Sequence, residues 1–99
     1  MDYETINRVE KLVSGELFLG IESGGNPFYE YIYREASGVY WDKEKKGFKS
    51  TPMKEWNVPK WYGQICSVVK ASLGVELRLG KSVEWVGIDG QERSDVEKI

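Results

Sequence analysis

Apolar residues near the start of the chain repeat at the spacing of a helix. Asp2 stands where it can cap the first turn, and Gly15 can take the left-handed conformation that closes a helix. The residues that would share one helical face are Ile6, Val9, Leu12 and Val13. This spacing predicts a helix over residues 2–15.

The next part of the chain has the two-residue alternation of strands. The pattern predicts strands over residues 16–22, 28–35 and 39–41, and a further strand from Phe48. Residues 23–27 (SGGNP) form a loop in this interpretation. Residues 42–47 (DKEKKG) form a hairpin loop in which Gly47 takes positive φ. Together these segments predict a meander of antiparallel strands.

A second helix is expected from Asn57 and Pro59 to Leu73, with Gly74 as its stop. Its apolar stripe contains Trp61, Tyr62, Ile65, Val68, Val69 and Leu73. Two strands follow, at residues 75–79 and 82–86, joined by a turn at Gly80-Lys81.

The predicted fold class is therefore α+β, with element order α-β-β-β-β-α-β-β. We expect a single antiparallel sheet of about five to six strands, with two helices packed on one face. Residues 1–88 are predicted to form one domain, and residues 89–99 a polar, frayed C-terminal tail.

Composition narrows the class of protein. The 99 residues are 40% hydrophobic and 30% charged, as in an ordinary folded domain, and carry a net charge of -2 that disfavours nucleic acid and anionic membranes. Cys66 is the single cysteine, which suits a reducing compartment. The chain starts without a signal-peptide pattern and has no apolar run near the roughly 20 residues of a membrane span. We therefore expect a cytoplasmic protein with no membrane contact.

An excess of aromatic residues is the main functional signal. In a strand, Tyr29, Tyr31 and Tyr33 would share one face. They are either half-buried under a helix or part of an open platform for a partner or a planar ligand. With Trp41 and Trp56, they form the predicted binding surface.

Lysines interleaved with aromatics suggest an alternative. The segment 43–60 has six lysines against two glutamates, and cations beside ring faces are typical of single-stranded nucleic-acid binding. The predicted patch consists of Lys43, Lys45, Lys46, Phe48, Lys49, Lys54 and Lys60. A solvated hairpin tip followed by core aromatics explains the same pattern, and the acidic total favours that interpretation.

Catalytic chemistry has little support in the sequence. There is no histidine to activate Cys66, and no metal-ligand spacing, P-loop or dinucleotide motif. A pair of carboxylates acting as acid and base is the remaining option. The carboxylates considered are Glu30, Glu35, Asp42, Glu76 and Glu84. We predict no catalytic residue, cofactor or metal.

The sequence thus predicts a small non-catalytic binding or accessory protein. It would recognise a protein partner or a compact apolar ligand through its aromatic surface, as a homo-oligomer, with a dimer favoured. Nucleic-acid binding through residues 43–60 is the alternative, and a carboxylate enzyme is the second alternative.

Overall fold

The computed structural model describes residues 2–32, 38–54 and 56–99. Five strands and two α-helices are present in these residues, together with a short 3-10 helix at Pro27–Tyr31. The strands are β1 (Asp2–Lys11), β2 (Leu17–Ile21), β3 (Val39–Asp42), β4 (Gly47–Ser50) and β5 (Val75–Val86). The α-helices are α1 (Val58–Leu73) and α2 (Gly90–Glu97). The chain is a small α+β fold.

The five strands form one mixed sheet in the order β3-β4-β2-β1-β5. Three neighbouring pairs are antiparallel, whereas β1 and β5 run parallel. The prediction of an all-antiparallel sheet was therefore wrong. The parallel pair consists of the first and last strands along the chain, which are neighbours in the sheet. Parallel neighbours require a long crossover connection, and α1 is the last element of that connection before β5.

The expected N-terminal helix is strand β1, and a bulge explains the misleading pattern. The register of β1 shifts between Ile6 and Arg8 against both of its neighbours. Ile6 and Val9 consequently face the same core, and both are fully buried although they lie three residues apart. A strand that contains a bulge thus reproduces the spacing of a helical face.

The tyrosine-rich segment is not the strand that its alternation predicts. Residues 27–31 form the 3-10 helix, in which Pro27 occupies the first turn and the Asn26 side chain accepts a hydrogen bond from the Phe28 N–H. Tyr29 is 6% exposed and Tyr31 79% exposed, so the two rings do not share a face. Tyr33 lies outside the described residues.

The predicted hairpin at Gly80-Lys81 is a single strand, β5. Its register against β1 jumps from Ile6↔Leu79 to Arg8↔Glu84, so the intervening residues form a bulge instead of a turn. The residues after Asp89, which we expected to fray, form α2, where Asp89 and Glu92 make a capping box and Val96 is buried. The domain boundary at residue 88 stays a prediction.

Local signals placed the remaining elements correctly. Asn57 caps α1 by accepting from the Lys60 N–H, and Gly74 closes it at φ 70°. In the β3–β4 hairpin the positive φ falls on Lys46 (61°) instead of Gly47. Gly47 serves another purpose, because a Cβ there would lie 2.4 Å from the Phe18 ring.

Both α-helices cover the face of the sheet that carries the main core. Alternation along the paired strands places Val9, Leu19 and Phe48 on this face, where they join one cluster with Ile65 and Val69 of α1. Helix α2 lies beside α1. Among the described residues, no helix is long and apolar enough to cross a membrane.

A buried ion network stands on the opposite face. The Lys49 ammonium lies 2.8 Å from Asp42 and 3.6 Å from Glu16, and the Tyr40 hydroxyl donates to Glu16. Burial opposes charge on Asp42, but the hydrogen bonds from Lys49 and from backbone N–H groups lower its pKa. Burial also opposes charge on Lys49, but Asp42 and Glu16 raise its pKa. Asp42 and Lys49 are therefore both charged at neutral pH.

Replacing Lys49 by Met should lower the free energy of unfolding by about 2–4 kcal/mol at pH 7, because it leaves partly buried carboxylates without a cation. The pKa of Asp42 lies below its unfolded value, so its stabilisation is present above the unfolded pKa and disappears as pH falls. The cost of Lys49→Met should therefore shrink between pH 7 and pH 3 in urea titrations. Lys43→Met, which removes an exposed partner of Glu30, should change stability by less than about 0.5 kcal/mol. Equal effects of the two variants would contradict this account.

The two described tyrosines should respond oppositely to truncation. Tyr29→Ala removes a buried ring and should cost about 3–5 kcal/mol, whereas Tyr31→Ala should stay within about 0.5 kcal/mol. Thermal and urea unfolding measure both values. A large effect at Tyr31 would show that its ring is covered.

Candidate functional site

Two concave surfaces of the described residues contain the tryptophans of the predicted binding surface, Trp41 and Trp56. We call the first the tryptophan groove, lined by Pro52, Lys54, Trp56 and Trp61, with a volume of about 340 Å³. The second, the glycine-loop pocket, has a volume of about 250 Å³. It is lined by Gly24, Gly25, Asn26, Pro27, Glu30, Trp41, Lys43 and Lys46. The predicted surface is thus divided, with Trp41 in one cavity and Trp56 in the other.

The tryptophan groove forms where the chain enters α1. Trp61 is held in the first turn by its backbone hydrogen bond to Asn57, and its centroid lies 4.9 Å from that of Trp56 at an interplanar angle of 53°. Gly38 lets the Trp61 ring approach closely, since a Cβ there would lie 3.0 Å from it. Trp56 remains 42% exposed. The result is a fixed inner ring beneath an accessible outer ring.

One lysine lines the groove, and the N–H of its inner ring is enclosed by the protein. The Trp61 Nε1–H is buried and has no acceptor among the residues that the structure describes. The exposed Lys54 belongs to the lining, and the exposed Lys60 precedes Trp61 in α1. The groove therefore suits an apolar group with a carboxylate near Lys54.

Trp41 is the ring of the glycine-loop pocket. It makes edge-to-face contacts with Tyr29 at 5.2 Å and Phe48 at 4.9 Å. A Cβ on Gly25 would lie 2.3 Å from the same indole, so only glycine lets the loop approach the ring this closely. The ring is held on three sides.

Tyr29 supports this pocket from within the core. Its hydroxyl donates to Glu4 at 2.5 Å, and Glu4 also accepts from Ser23 at 2.7 Å. Burial, followed by the bond to Glu4, raises the pKa of Tyr29 well above its usual value. Tyr29 is thus a structural phenol that stays protonated, and it is not part of an open platform.

The structure separates the predicted lysine patch into different environments. Phe48 is fully buried and Lys49 is held in the ion network. The other members lie beyond opposite ends of β4, with Lys43, Lys45 and Lys46 before it and Lys54 and Lys60 after it. The seven predicted residues, all of which the structure describes, therefore do not form one continuous surface. Nucleic-acid binding stays a prediction.

The candidate catalytic groups do not come together. Each of the four described carboxylates pairs with a different cation: Glu30 with Lys43, Asp42 with Lys49, Glu76 with Arg78 and Glu84 with Arg8. Glu35 lies outside the described residues. Burial raises the pKa of the Cys66 thiol to about 11, which disfavours a thiolate. No group of three or more potential metal-ligating side chains occurs in the described part of the chain.

Sequence reasoning missed the partners that shape both cavities. Trp61 was assigned to the apolar stripe of the helix, and its proximity to Trp56 was not expected. The sequence pattern predicts only that Gly25 and Asn26 belong to a loop. The consecutive glycines before Asn-Pro were the available signal, but nothing in the sequence indicates that Trp41 lies against them.

Comparison with known proteins gives the family. Residues 25–83 match the family described as Integron Cassette Protein Hfx_Cass5. The chain belongs to this family. The matched segment contains the whole tryptophan groove and all of the glycine-loop pocket except Gly24.

One solved structure is similar over nearly the whole chain. It is the integron cassette protein Hfx_Cass5 from the mobile metagenome of the North West Arm sewage outfall. It is 28% identical, with a TM-score of 0.44, and the match covers 99% of this chain and 95% of that one. A search of curated proteins finds no match. The family description names no reaction, ligand or partner.

Substitutions at the adjacent residues Gly24 and Gly25 separate the cost of backbone strain from the cost of a steric clash with Trp41. Gly24 and Gly25 both have positive φ, at 84° and 82°, but a Cβ on Gly24 meets nothing within 4 Å. Gly24→Ala should therefore cost only the backbone strain, about 1–2 kcal/mol. Gly25→Ala should cost about 1–3 kcal/mol more, because it must displace the indole.

Urea unfolding gives the two costs, and near-ultraviolet circular dichroism reports the displaced ring. Identical stability and spectra in the two variants would show that Trp41 does not depend on Gly25.

Proposed function

We propose that the chain is a small non-catalytic binding protein whose tryptophan groove takes an aromatic side chain of a protein partner. The observation that carries the proposal is the pair Trp56–Trp61, in which a partly exposed indole packs against an inner indole with an unpaired N–H. Tryptophan in a partly desolvated pocket is the residue type that most often dominates binding energy. Lys54 in the lining adds preference for an acidic neighbour.

The chain itself carries an element of the matching chemistry. Phe28 is 68% exposed, and its ring lies 6.2 Å from that of the exposed Tyr31. Glu30 stands between them in the sequence and is also exposed. An exposed aromatic pair with a carboxylate is complementary to an aromatic groove that is lined by a lysine. We therefore propose a second copy of the chain as the partner, in a homodimer.

Sedimentation equilibrium over a wide concentration range tests this association. Trp56→Ala should weaken dimerisation by about 30-fold or more, the effect of losing a central anchor of about 2 kcal/mol. Phe28→Ala should weaken it similarly, because it removes the opposing ring. Val13→Ala alters another exposed apolar residue, distant in sequence, and should have no effect.

A peptide isolates the groove from the rest of the interface. The segment 26–32, NPFYEYI, should quench indole fluorescence in the wild type and lose this effect in Trp56→Ala. A peptide with Phe28 and Tyr31 replaced by Ala is the control. A monomer at all concentrations, together with no peptide binding, would contradict the proposal.

A further inference from the structure

The glycine-loop pocket combines a fixed ring with an excess of positive charge. Lys43 and Lys46 contribute two ammonium groups and Glu30 one carboxylate, so the described part of the lining carries a net charge of +1. Lys43 and Glu30 are 3.9 Å apart and both are largely exposed, so the pair is weak. Lys46 forms no ion pair among the described residues.

The position of Lys46 is itself unusual. Its φ of 61° is the left-handed conformation that favours glycine or asparagine, yet a lysine occupies it. The backbone is fixed on both sides, because the Lys46 N–H donates to Asp42 and its carbonyl accepts from Ile21. The Cα from which this cation extends is therefore held firmly beside Trp41.

The indole of Trp41 is equally constrained. Tyr29 and Phe48 hold it from the core, and Gly25 packs against its edge. A ring whose orientation is fixed before binding loses little conformational entropy when a second ring packs against it. The cavity of about 250 Å³ has the volume of roughly eight water molecules, which is enough for a bicyclic ring but not for a large cofactor.

We infer that the glycine-loop pocket binds a small planar aromatic molecule carrying one carboxylate, with the ring against Trp41 and the carboxylate on Lys46. A single net charge suits a monoanion. No arginine is among the described residues that line the pocket, so these residues lack the fork that binds phosphate in bidentate fashion. This site is separate from the tryptophan groove and does not depend on dimerisation.

Indole-3-acetate, indole and acetate are suitable probes, because they test the complete ligand, the ring and the charge separately. In ¹H–¹⁵N spectra, indole-3-acetate should shift the amide signals of Gly24, Gly25 and Lys46. It should bind at least about tenfold more tightly than indole or acetate, as expected when one charge-assisted contact is added. Raising the salt concentration should reduce this advantage.

Matched variants assign the contacts. Lys46→Gln should reduce the affinity for indole-3-acetate about tenfold, to that for indole, whereas Lys98→Gln should not change it. Shifts of the Gly24, Gly25 and Lys46 signals distinguish binding at this site from binding in the tryptophan groove.

Three results would overturn the inference: equal binding of indole and indole-3-acetate, unchanged affinity in Lys46→Gln, or shifts confined to signals away from the pocket. The spectrum of each unliganded variant shows whether it is folded. Lys46→Gly is a second variant that removes the charge, and glycine adopts the positive φ of this position without strain.

Discussion

Strand β1 holds the two parts of the sheet together, because it pairs with β2 along one edge and with β5 along the other. Its bulge between Ile6 and Arg8 lets it follow both neighbours while keeping Ile6 and Val9 in the core. The antiparallel strands β2, β4 and β3 lie on one side in that order, and not as the sequential meander that we predicted, whereas β5 lies on the other side with α1 packed against it. Without β1 these parts would share no backbone hydrogen bonds across the sheet.

In this fold the aromatic residues have different structural roles. Tyr29 and Phe48 are buried and fix Trp41, while Trp61 packs at the start of α1 and supports Trp56. In both places an inner ring limits the movement of a more accessible one. The two cavities are therefore preformed, which lowers the entropy lost on binding. They differ in composition, since the described lining of the groove has two indoles and one lysine and that of the pocket has one indole, two lysines and one glutamate. We therefore propose different ligands for them.

Sequence pattern predicted best where the structure is determined within a short segment. Asn57 and Gly74 bounded α1 because caps act on adjacent backbone groups, and residues 17–21 alternated because β2 is a regular strand. The sequence pattern gave a wrong prediction at Ile6 and Val9, where a bulge reproduces helical spacing. It was also wrong at Tyr29 and Tyr31. There, Pro27 and the Asn26 cap favour a 3-10 helix over a strand. Trp41 and Trp56 were identified as candidates, but their partners were not.

The sequence by itself determined the α+β class, the position of α1, the hairpin between β3 and β4, and the abundance of rings with few catalytic groups. These properties follow from composition and from contacts between neighbouring residues. Only the tertiary structure decided that β1 and β5 run parallel, that Tyr29 is covered while Tyr31 is not, and that Gly25 meets Trp41. Each depends on residues distant in sequence whose burial is set by how the whole chain packs, and no local periodicity records that packing.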